Sequence, residues 1–307
     1  MRTRAIPIVP GYELIERIGR GAGAVISSAR EIGSGRLVAI KHVIRHTPED
    51  ERYIAQAENE FQLACRLEHR YLRRCLEIVR LRKWLKTREL FLIMEYVDGE
   101  RLEDHRPSAI PPIVSIFKKT AEGLHAVHEH GYAHADVKPH NILLTRDGLL
   151  KIIDFGQSCP LGQIKERVQG TPDYMAPEQV FRKAIDQRTD VFCLGATMYW
   201  VCTGKRFRTV MPTAPTGARK IEIESQRGSE PPHELNPQIP VPLSKLIVEC
   251  CAAAKEHRPR DMREVLSRLE VVRHLLQQSR PTRRDGRTRG AQPADGRRSP
   301  AWTTCTP

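Results

Sequence analysis

Near residue 97 the hydrophobic pattern of this 307-residue chain changes period, and that change constrains the fold more than any other feature. Residues 12–45 alternate apolar and polar positions in short runs, "YELIERIG", "AVISSAR" and "RLVAIKHVI", with glycines between them, a hairpin-rich β pattern. One interruption follows at 49–68, where Ala57, Phe61, Ala64 and Leu67 fall on a single helical face. "LEIVRL" and "LFLIMEYV" then read as strands, joined across the basic stretch "RLRKWLKTR" at 80–88, an exposed hairpin connection. Beyond "VDGE" at 97–100 the period is mostly helical. Ile113, Ile116, Phe117, Thr120, Ala121, Leu124, Val127 and His128 form one stripe, with Gly131 near its end. "NILL" and "LLKIIDFG" are short strand-like pieces, and 189–202 and 243–254 are apolar and helix-like. The expectation is an α+β chain, a small β-rich part joined near residues 95–99 to a larger helical part.

Composition excludes several classes. The apolar fraction of 40% and charged fraction of 28% are those of an ordinary globular chain. No apolar run approaches the roughly 20 residues of a membrane span, and the N-terminus has no continuous apolar segment of a secretory signal. A cytoplasmic address is the expectation. The eight cysteines show neither a CxxC pair nor zinc-ligand spacing, so they read as scattered thiols, with a redox role for Cys159 as the lesser alternative. The net charge is +13, of which the stretch from Arg280 onward supplies +5 through seven arginines and two aspartates. That stretch is rich in Pro, Gly and Arg and has too few aliphatics to order itself. It reads as a solvated tail, or else as a tether to an anionic partner, nucleic acid or lipid.

Several short stretches carry chemistry. "GRGAGAVI" at 19–26 follows a strand, and its glycines let backbone amides approach phosphate oxygens. Gly19, Gly21 and Ala24 also satisfy a dinucleotide-binding spacing, but that motif opens a helix, and a strand follows here. "VAIK" at 38–41 sets Lys41 in an apolar strand, where it needs an anion, with Glu60 on the next helix as the natural partner. "HADVKPHN" at 134–141 packs Asp136, Lys138 and Asn141 into six positions. "KIIDFG" at 151–156 leaves Asp154 at a strand end, where a carboxylate can hold a divalent cation. "GTPDYMAPEQ" and "HRPR" add Glu178 and Arg258, a candidate structural pair.

Taken in order, these stretches together with "RTDVFCLG" resemble the signature set of the eukaryotic-type (Hanks-type) Ser/Thr protein kinases across residues 12–270. "PPHELNPQIPVPLSKLI" at 231–247 is similar to bacterial members. The resemblance implies a bilobal protein-kinase fold: an N-terminal extension over 1–11, an N-lobe over 12–94, the hinge and C-lobe over 95–272, and a tail over 273–307. It implies ATP with Mg²⁺, Mn²⁺ being the alternative metal, and a protein substrate bearing a Ser or Thr hydroxyl. Asp136 then orients the attacking hydroxyl, Lys138 meets the transferring phosphoryl group, and Asn141 and Asp154 hold the metal. Gly19, Gly21 and Ala24 belong to the phosphate loop, and Lys41, fixed by Glu60 rather than Glu58, grips the α- and β-phosphates. Ile26, Ala39 and Leu143 enclose adenine, Met94 is the gatekeeper, and the backbones of Glu95 and Val97 meet the adenine edge. No pattern assigns an oligomeric state.

Departures from the family pattern are informative. Ala135 stands where most members carry the arginine that grips a phosphorylated activation segment. Between Asp154 and Glu178 the only hydroxyls are Ser158, Thr171 and Tyr174. The expectation is a kinase independent of activation-loop phosphorylation, with a pseudokinase or ATP-binding scaffold as the alternative. A kinase-like fold acting on small molecules is disfavoured by "GTPDYMAPE". Ala64 stands where the family usually packs a larger apolar residue behind the helix glutamate, which implies an underpacked active arrangement and a need for a partner or self-association. His140 occupies a position where arginine-directed members often carry Glu, so no basic consensus is expected.

Overall fold

Strand alternation in the N-terminal part sorts side chains onto the two faces of one antiparallel sheet. The computed structural model describes residues 9–21, 23–83, 86–209 and 229–278; the Arg-rich tail lies outside them. Strands β1 (Tyr12–Gly21), β2 (Ala24–Glu31) and β3 (Leu37–Ile44) are followed by helix α1 (Glu51–Ala64). Strands β4 (Cys75–Lys83) and β5 (Lys86–Glu95) complete the sheet, in the order β1-β2-β3-β5-β4. On β3, Ala39 and Val43 join the main core, whereas Val38 and Ile40 pack into a second cluster with Val9, Ala29, Phe91 and Ile93. Period-2 alternation therefore puts Lys41 on the same face as Ala39 and Val43. β5 is covered on both faces, which explains its unbroken apolar run "LFLIM".

Helix α1 buries Ile54, Ala57, Glu60, Leu63 and Ala64. The stripe is thus shifted from the expected one: Phe61 is only partly buried, and the inward place falls to a glutamate. The 3.6-residue period accounts for this, because 57, 60 and 64 point one way and 61 lies at the edge.

The C-terminal part begins with β6 (Gly99–Arg101) and α2 (Ile110–Glu129), whose stripe is buried as expected except for the half-buried Ile116. After the αL glycine Gly131 come β7 (Tyr132–Ala133), β8 (Ile142–Thr145), β9 (Leu150–Ile152) and β10 (Cys159–Pro160). β8 sits between β6 and β9 in a small sheet, and β10 pairs with β7. Helices α3 (Pro177–Val180), α4 (Gln187–Thr203), α5 (Pro232–Leu235), α6 (Val241–Cys250) and α7 (Met262–Gln278) follow. α4 is buried at almost every position, so it has no amphipathic stripe and forms the axis of this lobe.

One boundary needs correction. The tail was expected from residue 273, but α7 runs to Gln278 and its apolar stripe Val265, Leu269, Val272 continues into the partly buried Leu276. No helix among the described residues is long and apolar enough to cross a membrane.

Candidate active site

Four charged side chains from four separate segments meet where the two lobes face each other. Lys41 Nζ lies 2.7 Å from Glu60 Oε2 and 3.2 Å from Asp154 Oδ1. The other glutamate oxygen, Oε1, accepts from Arg73 Nη2 at 3.3 Å. Glu58, two residues away on α1, instead faces out and pairs with Arg80 at 2.8 Å. The Glu60 side chain is fully buried and that of Arg73 is 7% exposed, whereas Asp154 opens to the cleft at 42%. Burial opposes the charge on Lys41, but the Asp154 and Glu60 carboxylates outweigh it and hold the ammonium above its ordinary range. Burial likewise opposes ionisation of Asp154, and Lys41 and Arg73 outweigh it, holding the carboxyl below the usual carboxylate range.

A second cluster lies on the loop between β7 and β8. Lys138 Nζ bridges Asp136 Oδ2 at 2.8 Å and Thr171 Oγ1 at 2.6 Å, and the Thr171 hydroxyl is 3.3 Å from Asp136 Oδ1. Asn141 Nδ2 donates to the Asp136 carbonyl at 2.9 Å and to its Oδ2 at 3.2 Å. The loop is hung from Asp190 on α4, whose carboxylate accepts from the amides of His134 at 2.7 Å and Ala135 at 2.8 Å and meets His128 Nε2 at 2.8 Å. Burial opposes ionisation of Asp190, and the His128 contact prevails and lowers its pKa. Ala135 and Asp154 both sit at positive φ, 59° and 67°. Two non-glycine residues in this region mark backbone held against its preference around the cleft.

Asn141 Oδ1 is buried and has no hydrogen-bond partner. A buried amide oxygen without a donor is a costly arrangement unless a cation or water meets it. Together with the open Asp154 carboxylate it offers hard oxygen donors, the chemistry that suits Mg²⁺ completed by phosphate oxygens. Among the described residues no group of three His, Cys, Asp or Glu side chains could hold a metal unaided.

The remaining predicted positions lie on β1, β2, β3, β5, β8 and the linker after β5. Gly19 and Gly21 end β1, and Ala24 opens β2. Ala24 is buried in the core, so a methyl is accommodated where the family has a third glycine. Ile26 is paired in register with Lys41, and Ala39 with Met94, which is fully buried. Glu95 donates its amide to the Arg74 carbonyl at 3.0 Å, and its side chain meets Lys151 at 2.9 Å. Val97 is half-buried in the linker after β5, and Leu143 on β8 pairs with Arg101.

The protein kinase domain family model matches residues 12–269. The chain belongs to the protein kinase family. It is 29% identical to a probable serine/threonine-protein kinase of Clostridium acetobutylicum over 86% of this chain and 40% of that protein. It is 28% identical to the DNA damage-responsive serine/threonine-protein kinase RqkA of Deinococcus radiodurans, over 95% of this chain and 45% of that protein. It is also 28% identical to serine/threonine-protein kinase A of Synechocystis, over 85% of this chain and 53% of that protein. The chain thus spans about half or less of the length of these curated relatives.

In this chain the side chain of Ala135 has apolar neighbours. Its methyl packs with Ala133, Cys159 and Ile185, and Leu161 closes the cluster. The activation segment is held by other means: Leu161 N–H donates to the Gly131 carbonyl, Gly162 N–H to Ile185, Ile185 N–H to Gln163, and Lys165 Nζ to the Gln157 carbonyl. Burial pushes the Cys159 thiol up to about 11, against any reactive thiolate there.

Two residues escaped the sequence reading. Gly23 (φ 69°) carries the left-handed turn at the tip of the glycine-rich loop, and a Cβ there would lie 2.4 Å from the Tyr53 ring. The dipeptide Ala22-Gly23 between two strands was a signal for it. Arg73 gave no such signal: it sits in "RYLRRCLEIV", where an arginine beside a strand reads as surface.

Proposed function

We propose that this chain is an ATP-dependent protein Ser/Thr kinase whose activation segment needs no phosphate to take its working shape. The names of the bacterial relatives support the reaction class. The observation that carries the second half is the state of the three hydroxyls in the segment. Ser158 is 5% exposed and bonds to the His134 carbonyl, Tyr174 is 9% exposed, and Thr171 is held by Lys138 and Asp136. No hydroxyl is left facing an arginine cluster that would read a phosphate.

In this reading a substrate hydroxyl takes the place now occupied by Thr171 Oγ1 beside Asp136, which accepts the proton as the hydroxyl oxygen bonds to the γ-phosphorus. Lys138 offsets charge on the transferring group and ADP departs. Lys41, oriented by Glu60, grips the α- and β-phosphates. Asn141 and Asp154 would hold Mg²⁺, or Mn²⁺, which when bound would supply positive charge to offset that of the phosphates. The protein's share is positioning and electrostatics, since little covalent work falls to it. Ile26, Ala39 and Leu143 would enclose adenine, with Met94 behind and the Glu95 and Val97 backbones at its edge.

The alternative, an inert scaffold, is disfavoured by the completeness of the charged set around the cleft. An anionic partner for the tail rests on composition alone; salt-sensitive binding lost with residues 280–307 would support it. The test of phosphorylation independence is Ser158→Ala and Tyr174→Phe beside wild type, all phosphatase-treated. Near-equal initial rates of phosphate transfer support the reading. A lag in wild type, absent after pre-incubation with ATP and lost in either variant, would overturn it.

A further inference from the structure

Arg73 is a buried cation in the cleft that the kinase chemistry above does not use. Its backbone is fixed: its amide donates to the Ile152 carbonyl at 3.0 Å, and the Ile152 amide donates to Tyr71 at 2.7 Å. The root of β4 is therefore tied to β9, the strand that leads into Asp154. Its side chain crosses to α1 and ends on Glu60 Oε1, 3.3 Å away. Burying a guanidinium is expensive unless a carboxylate meets it, so this geometry is specific.

Three features give the contact a direction. Each oxygen of Glu60 has its own cation, Lys41 on Oε2 and Arg73 on Oε1, so the glutamate is not dependent on the lysine. Lys41, Arg73, Glu60 and Asp154 balance two positive against two negative charges before any nucleotide arrives. The apolar packing near the pair is light, because Ala64, one turn beyond Glu60, and Cys75, two residues after Arg73, are both small and buried. An ion pair anchored to a strand supplies what those side chains do not.

We infer that Arg73 is a positioning residue that clamps Glu60, and with it α1, in the working position without nucleotide and without Lys41. The inference rests on the kinase reading for its consequence, but not for its test. Hydrogen exchange is followed in the nucleotide-free full chain for wild type, Lys41→Met, Arg73→Met and Arg73→Lys. Amides of α1 exchange at least about tenfold faster in Arg73→Met, those of α2 are unchanged, and Lys41→Met stays within about threefold of wild type. Arg73→Lys restores most of the protection. In steady state Arg73→Met lowers kcat about tenfold or more with KM for ATP within about threefold, and Arg73→Lys recovers it.

Unchanged exchange in α1 of Arg73→Met overturns the clamp. So does release of α1 by Lys41→Met alone, or an equal rise in α2 and the sheet, which would make Arg73 a core ion pair only. Should Arg73→Met not fold, Arg73→Gln, which keeps a donor but no charge, takes its place in both measurements. If wild type transfers no phosphate the kinase reading falls, and the exchange pattern still decides the clamp.

Discussion

Arg258 forks onto Glu178 across 80 positions of sequence, Nη1 to Oε1 at 2.8 Å and Nη2 to Oε2 at 3.0 Å, with side chains 0% and 3% exposed. Thr189 bonds the same glutamate at 2.8 Å, and Arg258 also donates to the carbonyls of Arg188, Ala252 and Ala253. The end of the activation segment is thereby fastened to α4 and to the loop before α7. Removing one partner strands a buried charge. Arg258→Met is expected to lose about 3–5 kcal/mol of stability in urea unfolding. The double variant Arg258→Met/Glu178→Gln should lose less than the sum of the two singles.

Lys138 is held by Asp136 and Thr171, with its side chain 17% exposed. If, as proposed, it offsets charge on the transferring group, Lys138→Met should lower kcat by about 10²–10³-fold, the scale of removing one charge-stabilising donor. Thermal unfolding should change little, because no core packing is removed. Steady-state phosphorylation of a generic protein substrate, beside a melting curve, checks both.

Asp154 is depressed and Lys41 raised, which gives the cleft a definite pH behaviour. The contribution of a depressed carboxylate is present above its unfolded value of about 3.9 and is lost as pH falls through the folded one. That of a raised lysine is present below its unfolded value of about 10.4 and is lost as pH rises through the folded one. Both are therefore complete from about pH 5 to pH 9. The Tm difference between wild type and Asp154→Asn should be flat across that window and narrow below about pH 4. Exposure of Asp154 to the cleft keeps the difference modest.

Much of this molecule was legible in its sequence, for reasons that differ by residue. Lys41 could be placed because period-2 alternation in "VAIK" fixes its face. The Ala135 departure could be read because the motif around it is dense. Arg73 could not be, since its meaning comes from a turn that brings β4 beside α1, a long-range packing event with no local signature. The end of α7 was missed because Arg273 and the glutamines after it read as polar tail, although Leu276 continues the buried stripe.

Gly23→Ala tests the loop tip. A left-handed conformation costs a non-glycine residue about 1–2 kcal/mol, and the added methyl would meet the Tyr53 ring at 2.4 Å. Urea unfolding should show a loss of at least that size. On the proposed reading, in which the loop binds phosphates and does no chemistry, KM for ATP should rise more than kcat falls.

The most direct measurement is transfer of labelled γ-phosphate from ATP with Mg²⁺ to the chain itself and to a generic protein, by phosphatase-treated wild type beside Asp136→Asn. Incorporation on Ser and Thr by wild type from the first time point, and at least about a hundredfold less by the variant, is the result predicted. Nucleotide binding without transfer by wild type, or equal incorporation by the variant, would contradict the account.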